Sequence, residues 1–184
     1  MKRLTVFEFI TLNGFLSGPG GDIGWHRHGQ EENQFAADRL QSGNTLLFGR
    51  KTYEMMAGFW PTPMAMESDP TVARYMNSAK KIVVSRSLKK AIWENTTIIS
   101  HQVMDQIRRL KETSLHDITI LGSGNLVTQL AEAGLIDEYQ IMIDPVAIGS
   151  GTPLFQNISQ TLNLNLTGVK AFKSGVVLLS YVPQ

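Results

Sequence analysis

Short runs of β-branched and aromatic residues alternate along this chain with stretches whose apolar residues recur every three or four positions. That is the signature of buried strands alternating with amphipathic helices. The runs Leu4 to Ile10, Thr45 to Phe48, Lys81 to Ser85, Thr97 to Ser100 and Asp117 to Leu121 predict strands. Helical spacing predicts helices over Glu31 to Gln41, Lys51 to Gly58, Pro70 to Asn77 and Gln102 to Thr113, with Asp69 capping the third and Pro70 opening it. One more helix follows Gly122-Ser123-Gly124 and stops at Gly134, where Leu135 can fold back over its last turn. The pattern then changes. Glu138 to Ile143 is a strand, and Leu162, Leu164 and Leu166 alternate with polar residues. Lys173-Ser174-Gly175 then turns the chain into Val176 to Val182, an antiparallel hairpin. Alternating strands and helices make parallel pairs and the hairpin adds antiparallel ones, so the fold class is α/β, a mixed sheet of about eight strands flanked by helices. Ser17 to Gly24 and Trp60 to Asp69, rich in Gly, Pro and Met, read as loops over a site.

Composition narrows the class without choosing a chemistry. The 184 residues, 42% hydrophobic and 18% charged, suit one globular domain over 1–184 with no linker or repeat. A net charge of +1, with Lys and Arg adjacent only in pairs, argues against a nucleic-acid partner. Apolar runs fall far short of the roughly 20 residues that span a bilayer. The start MKRLTVFEFI is basic like a signal peptide, but Glu8 interrupts its apolar stretch, and the first strand is the better reading. The chain has no cysteine, which removes disulfides and thiol nucleophiles and fits a cytoplasmic protein.

Three strand ends carry chemistry suited to phosphate. In DITILGSGNLVTQL (Asp117 to Leu130) a strand breaks into Gly122-Ser123-Gly124 and opens a helix. Such a turn brings backbone close to a ligand and points first-turn amides at it; a ligand-free tight turn is the alternative. In LLFGRKTYE, Gly49, Arg50, Lys51 and Thr52 bring two cations and a hydroxyl to a helix N-terminus, where cations are misplaced unless an anion is near. A solvated basic turn is the alternative. In KIVVSRSL, Ser85, Arg86 and Ser87 offer a guanidinium between two hydroxyls, or a plain serine-rich turn. The glycine spacing lacks the third glycine of the Rossmann fingerprint and comes late in the chain, and neither a Walker loop nor a GxSxG elbow occurs.

Taken in order, TLNGFLSGPGGDIGW, LLFGRKTYE, VVSRSL, ILGSGNL and AGLIDEYQIMIDPVAIGSGTPLF resemble the dihydrofolate reductase-like superfamily. The match is closest to the reductase domain of the bacterial riboflavin-biosynthesis deaminase/reductase and its stand-alone relatives. The resemblance covers nearly the whole chain. It implies a three-layer fold, NADPH as hydride donor and a homodimer. By position it places Gly49, Arg50, Lys51 and Thr52 at the cofactor phosphates, with Arg50 also near the adenosine 2′-phosphate. Ser85, Arg86 and Ser87 would meet that 2′-phosphate, which favours NADPH over NADH. Gly122, Ser123, Gly124, Asn125 and Leu126 would hold the pyrophosphate, and Thr11, Leu16 and Ile23 would line the nicotinamide pocket. Relatives often carry two adjacent glycines where this chain has Gly122-Ser123, and a cis peptide there is implied by the resemblance. They also often carry aspartate where this chain has Asn13, which can hydrogen-bond but cannot donate a proton as an acid does.

The proton donor is the open position. Glu31 or Glu32, upstream of Phe35, falls where dihydrofolate reductases place an acid on the first helix. Either can equally be an ordinary first-turn glutamate. Trp25 and Phe35 are candidate walls of the substrate pocket, with a loop tryptophan covering the core as the equal alternative for Trp25. His26 and His28 lack companions for a four-ligand metal site and read as loop or substrate contacts, so no metal is expected. His101 and His116 sit at element ends and read as structural. The resulting expectation is an NADPH-dependent reductase of a small pterin-like or pyrimidine-like substrate. The alternative is a nucleotide-binding protein of the same fold with little turnover. Apolar residues on both faces of Val176 to Leu179 call for a helix layer or a partner chain.

Overall fold

The computed structural model of the chain describes residues 1–26, 29–40 and 43–184. Strand β1 (Leu4–Thr11) leads through the short β2 (Phe15–Ser17) to helix α1 (Gln30–Leu40). Then come β3 (Thr45–Gly49), α2 (Arg50–Phe59), α3 (Pro63–Ser68), α4 (Pro70–Ser78), β4 (Lys81–Val84) and β5 (Thr96–Ile99). Helix α5 (Val103–Thr113), β6 (Ile118–Leu121), α6 (Gly124–Glu132) and β7 (Glu138–Asp144) follow, and β8 (Thr152–Pro153), β9 (Leu164–Ala171) and β10 (Val177–Pro183) close the chain.

Eight strands form one mixed sheet in the order β5-β4-β3-β6-β1-β7-β10-β9. Strands β5 to β7 pair in parallel, and β10 and β9 add an antiparallel edge. All the parallel strands therefore end at one rim, where Thr11, Gly49, Ser85, Gly122 and Asp144 sit at or just past the strand ends. A separate small pair, β2 with β8, lies over that rim.

Side-chain alternation divides the core. Leu4, Val6, Leu47, Ile82, Ile118 and Ile120 face α5 and α6, whereas Leu46, Phe48 and Val83 face α2 and α4 with Tyr53, Met76 and Trp93. Phe7, Met142, Phe172 and Leu178 form a third cluster under Phe35 of α1. On β10, Leu178 packs in that cluster and Tyr181 against the first, so each face has partners from its own chain.

Several sequence expectations hold in detail. The Asp69 side chain accepts from Val72 N–H at 3.0 Å. Gly134 (φ +63) lets Leu135 N–H reach Leu130 O at 3.0 Å, and Leu135 is buried. Others need correcting. Trp60 to Asp69 is not all loop: Thr62 caps a short helix, accepting from Ala65 N–H, and Pro63 opens it. The β9 strand begins at Leu164, two residues after the predicted alternation, and Leu162 packs on the core just before it. The β2·β8 pair was not foreseen, because two- and three-residue strands carry no periodicity. No cis peptide occurs among the described residues; Gly122 and Ser123 instead both adopt left-handed φ, +62 and +73. The predicted helix end at Gln41 and the candidate His28 lie outside the described residues.

Candidate functional site

Two helix N-termini meet at the rim. Because β3 and β6 are neighbours, α2 and α6 start side by side, and their turns are joined through one hydroxyl. Gly49 N–H donates to Ser123 Oγ at 2.7 Å, and Ser123 Oγ–H donates to Thr52 Oγ1 at 3.0 Å. Gly122 is required twice over: its φ is left-handed, and a Cβ there would lie 2.6 Å from Thr52 Cγ2. On the other flank a Cβ on Gly124 would lie 2.9 Å from Leu154 O and 3.4 Å from Leu16 Cδ2, so the turn is wedged between α2 and the β2·β8 segment. Neither Gly49 nor Ser123 caps its helix with a side chain, which leaves first-turn amides of both helices for a ligand. Asn125 stands exposed on the first turn of α6 and Leu126 is buried beneath it.

The cations around this turn are unequal. Arg50 Nη1 donates to both carboxylate oxygens of Glu54, one turn along α2, at 3.0 and 2.8 Å. The anion that its position called for is thus supplied partly from within the helix. Lys51 is exposed. The Ser85 hydroxyl is turned inward and accepts from Ser87 N–H at 3.2 Å and Leu88 N–H at 2.9 Å, which shapes the loop after β4. That loop leaves Arg86 and Ser87 exposed.

The opposite side of the rim is built from side chains far apart in sequence. His26 Nδ1 and Asp144 Oδ2 are 2.9 Å apart, with side chains only 12% and 3% exposed. The His26 ring lies 4.2 Å from that of Phe9 and 5.7 Å from that of Trp25, whose Nε1 is buried without a hydrogen-bond partner. Asp144 is in register with Thr11. Thr11 Oγ1–H donates to Asn13 Oδ1 at 2.9 Å, and Asn13 also spans both backbone groups of Ile148, accepting from its N–H and donating to its C=O. Asn13 therefore clamps the loop after β1 to the segment after β7. Leu16 is half-buried on the core side of that loop, and Ile23 is 46% exposed at its tip.

The two α1 carboxylates part company. Glu31 is exposed, accepts from Lys173 N–H at 3.2 Å and pairs with Lys173 Nζ at 3.2 Å; hydrogen bonds from Lys173 hold its carboxyl below the ordinary value. Glu32 is buried, hydrogen-bonds Ser174 Oγ and keeps Oε2 without a partner. Phe35 lies 5.9 Å from Phe172, and Lys170 Nζ stands over both rings at 5.0 and 4.8 Å.

Residues that the sequence analysis did not single out as functional are Asp144 and Glu8. Each had a visible signal: an acid ending the strand EYQIMID, and an acid inside the apolar run LTVFEFI. Two hollows lie elsewhere, at the rim where strands begin. One of about 250 Å³ is lined by Arg3, Arg39, Asp117 and Glu138, and one of about 460 Å³ by Thr45, Tyr75 and His116. Both lie far from the glycine turns along the strands, and they gather neither uncapped helix starts nor a buried acid.

Residues 2–178 match the model of the RibD C-terminal domain. The chain belongs to this family. It is 29% identical over 180 residues to the uncharacterized protein YyaP of Bacillus subtilis, covering 98% of this chain and 94% of that one. It is 30% identical to YwjB of the same organism, covering 97% of each. A putative riboflavin biosynthesis protein from Shewanella superposes with TM-score 0.77 at 19% identity, over 100% and 99% of the two chains. A diaminohydroxyphosphoribosylaminopyrimidine deaminase/5-amino-6-(5-phosphoribosylamino)uracil reductase from Thermotoga maritima superposes at 0.70 and 13% identity, with this chain covering 57% of its length. The fold of the RibD-type chain is therefore the dihydrofolate reductase-like one. No helix among its described residues is long and apolar enough to cross a membrane.

Proposed function

We propose that this protein is an NADPH-dependent reductase that transfers a hydride to a small, planar N-heterocycle of the pyrimidine or pterin kind. The observation that carries the reading is the joined pair of uncapped helix starts at Gly49 and Ser123, which present amides of two macrodipoles to one place. The donor set fits a dinucleotide: backbone amides for a pyrophosphate, and the exposed Arg86 for a further phosphate, with Ser87 beside it. NADPH, when bound, supplies the hydride. Gly49 to Thr52 and Gly122 to Leu126 hold the pyrophosphate, Arg86 selects the 2′-phosphate, and the Thr11, Leu16 and Ile23 loop covers the nicotinamide and excludes water.

On the acceptor side, Trp25, Phe9 and Phe35 provide flat apolar contact for a ring. Glu32, with one free carboxyl oxygen, and His26, oriented by Asp144, are the groups that can hold a proton there. A pyrimidine acceptor is supported by the Thermotoga maritima deaminase/reductase of the same fold, which is named for a pyrimidine substrate. A soluble cytoplasmic homodimer completes the proposal; size-exclusion chromatography with light scattering tests the dimer, and a monomer at high concentration removes it.

The first test is paired titration with NADPH and NADH, read by tryptophan fluorescence, on the wild type and Arg86→Ala. Tighter NADPH binding, with the preference cut about tenfold in the variant, is the expected result. Failure of both nucleotides to bind overturns the reading. A binding protein with little turnover is the second reading, favoured by the full commitment of Asn13 to Thr11 and Ile148. NADPH oxidation with 5-amino-6-(5-phosphoribosylamino)uracil as the first acceptor separates the two.

A further inference from the structure

Glu8 is an unusual occupant of its position. It lies mid-strand in β1, 2% exposed, between hydrophobic residues that face the α5/α6 side of the sheet. Strand register pairs Phe7 with Leu121, which sets Glu8 level with Gly122, the first residue of the glycine turn. The Gly122 backbone N–H lies beside its carboxyl and acts to lower its pKa, and Oε1 has no hydrogen-bond partner. A buried carboxyl oxygen left without a partner costs stability, and a hydrophobic residue would fill the place at lower cost.

We propose that Glu8 is a positioning residue of the phosphate-binding turn: a buried carboxyl that must keep its proton for the turn to accept a dinucleotide. The inference rests on the nucleotide reading above. A neutral carboxyl steadies Gly122 through the N–H contact without adding charge. An ionised one puts a full negative charge, in a water-poor interior, directly behind the amides that receive the phosphates, where repulsion is weakly screened.

The surroundings leave Glu8 to titrate on its own. Of the strands beside it, β6 carries no ionisable side chain, and β7 presents Tyr139 on the same face, its hydroxyl pushed up to about 12 by burial. Asp144 pairs with Thr11 on the opposite face, and Glu138 likewise shares the face of Thr5. From β10, Tyr181 lies on the Tyr139 side. The ionisable residue of α6, Glu132, is occupied at the helix end by Ser159. On α5, Lys111 pairs with Asp137 near the start of β1, Asp105 pairs with Arg108, and Arg109 and Glu112 are exposed. Burial drives the Glu8 carboxyl well above the usual range, and the Gly122 N–H opposes this only in part.

Linkage gives the sign. Phosphate binding favours the protonated form, so binding takes up a proton wherever Glu8 is ionised in the free protein. NADPH affinity is then flat below the Glu8 pKa and weakens by up to about tenfold per pH unit above it.

The test is isothermal titration calorimetry of NADPH against wild type and Glu8→Gln between pH 6 and 9.5, in two buffers of different ionisation enthalpy. The variant keeps the shape and the Gly122 contact and cannot ionise. Expected is a wild-type affinity that falls at alkaline pH with proton uptake, and a variant that lacks both. Superimposable profiles with sound binding would overturn the role of Glu8 alone. Absence of NADPH binding in both proteins at every pH would overturn the nucleotide reading and this proposal with it. Should Glu8→Gln fail to fold, the wild-type Gly122 amide resonance decides: a pH titration that NADPH shifts upward supports the proposal, and an amide that does not respond to pH overturns it.

Discussion

The two sides of the rim hold their groups by different means. On the β3/β6 side the groups are mostly backbone: amides at helix starts, placed by the ends of adjacent strands and locked by Ser123 Oγ between Gly49 and Thr52. On the β1/β7 side they are side chains from distant segments: His26 with Asp144, Asn13 with Ile148, Glu31 with Lys173, Glu32 with Ser174. A backbone cradle suits the same ligand in many proteins, because phosphate asks only for amides and positive charge. Side chains brought together from afar can change one at a time, so this is where a fold acquires its own acceptor.

The largest effect is expected from Gly122→Val. It forces a β-branched residue into φ +62 and a Cβ into Thr52, so NADPH binding should disappear and stability fall by about 2 to 3 kcal/mol. Nucleotide titration and urea unfolding would show both, and a variant that binds normally would refute the cradle. On the other side, Asp144→Ala leaves His26 buried beside Phe9 without its carboxylate. A loss of about 2 kcal/mol is expected in urea unfolding, with NADPH affinity nearly unchanged. If affinity fell as far as in Gly122→Val, the division of the rim into two independent sides would be wrong.

Alkaline pH probes the two halves of the sheet at once. Tyr75, beside β4 and donating to Asn44 O, and Tyr139 on β7 are both pushed by burial from about 10 to about 12. A folded-state pKa above the unfolded one gives stability that is complete below pH 10 and is lost as pH rises through 12. The urea midpoint should fall over that interval, and Tyr139→Phe should flatten the fall. The smallest effect belongs to Glu31→Gln. Its pair with Lys173 is exposed and screened, so the melting temperature should stay unchanged, and a large drop in NADPH oxidation would restore Glu31 as the acid.

What was legible follows the same division. Gly122-Ser123-Gly124 and Gly49-Arg50 could be read because a strand, a glycine turn and a helix start are contiguous in sequence. The Asp69-Pro70 cap and the Gly134 stop are equally local. The share of Arg50's charge taken by Glu54 is an i,i+4 pairing and likewise local in the sequence. From sequence His26 reads as a loop or substrate contact, and its partner lies 118 positions away, beyond any spacing argument. Glu8 shows in the sequence as an interruption of an apolar run, and nothing nearby in the chain marks it as lying level with Gly122.

Local sequence sets the order along the chain of the eight main-sheet strands and of every α-helix but α3, the parallel body with its antiparallel edge, and the glycine turns. These rest on periodicity, capping and φ preferences that act within a few residues. Only the tertiary structure decided that α2 and α6 share one hydroxyl, that Asp144 receives His26, that Glu31 faces Lys173 while Glu32 is buried on Ser174, and that Glu8 lies under Gly122. Those outcomes depend on strand order and register, which set distant residues side by side, and on burial, which decides what each charge then costs.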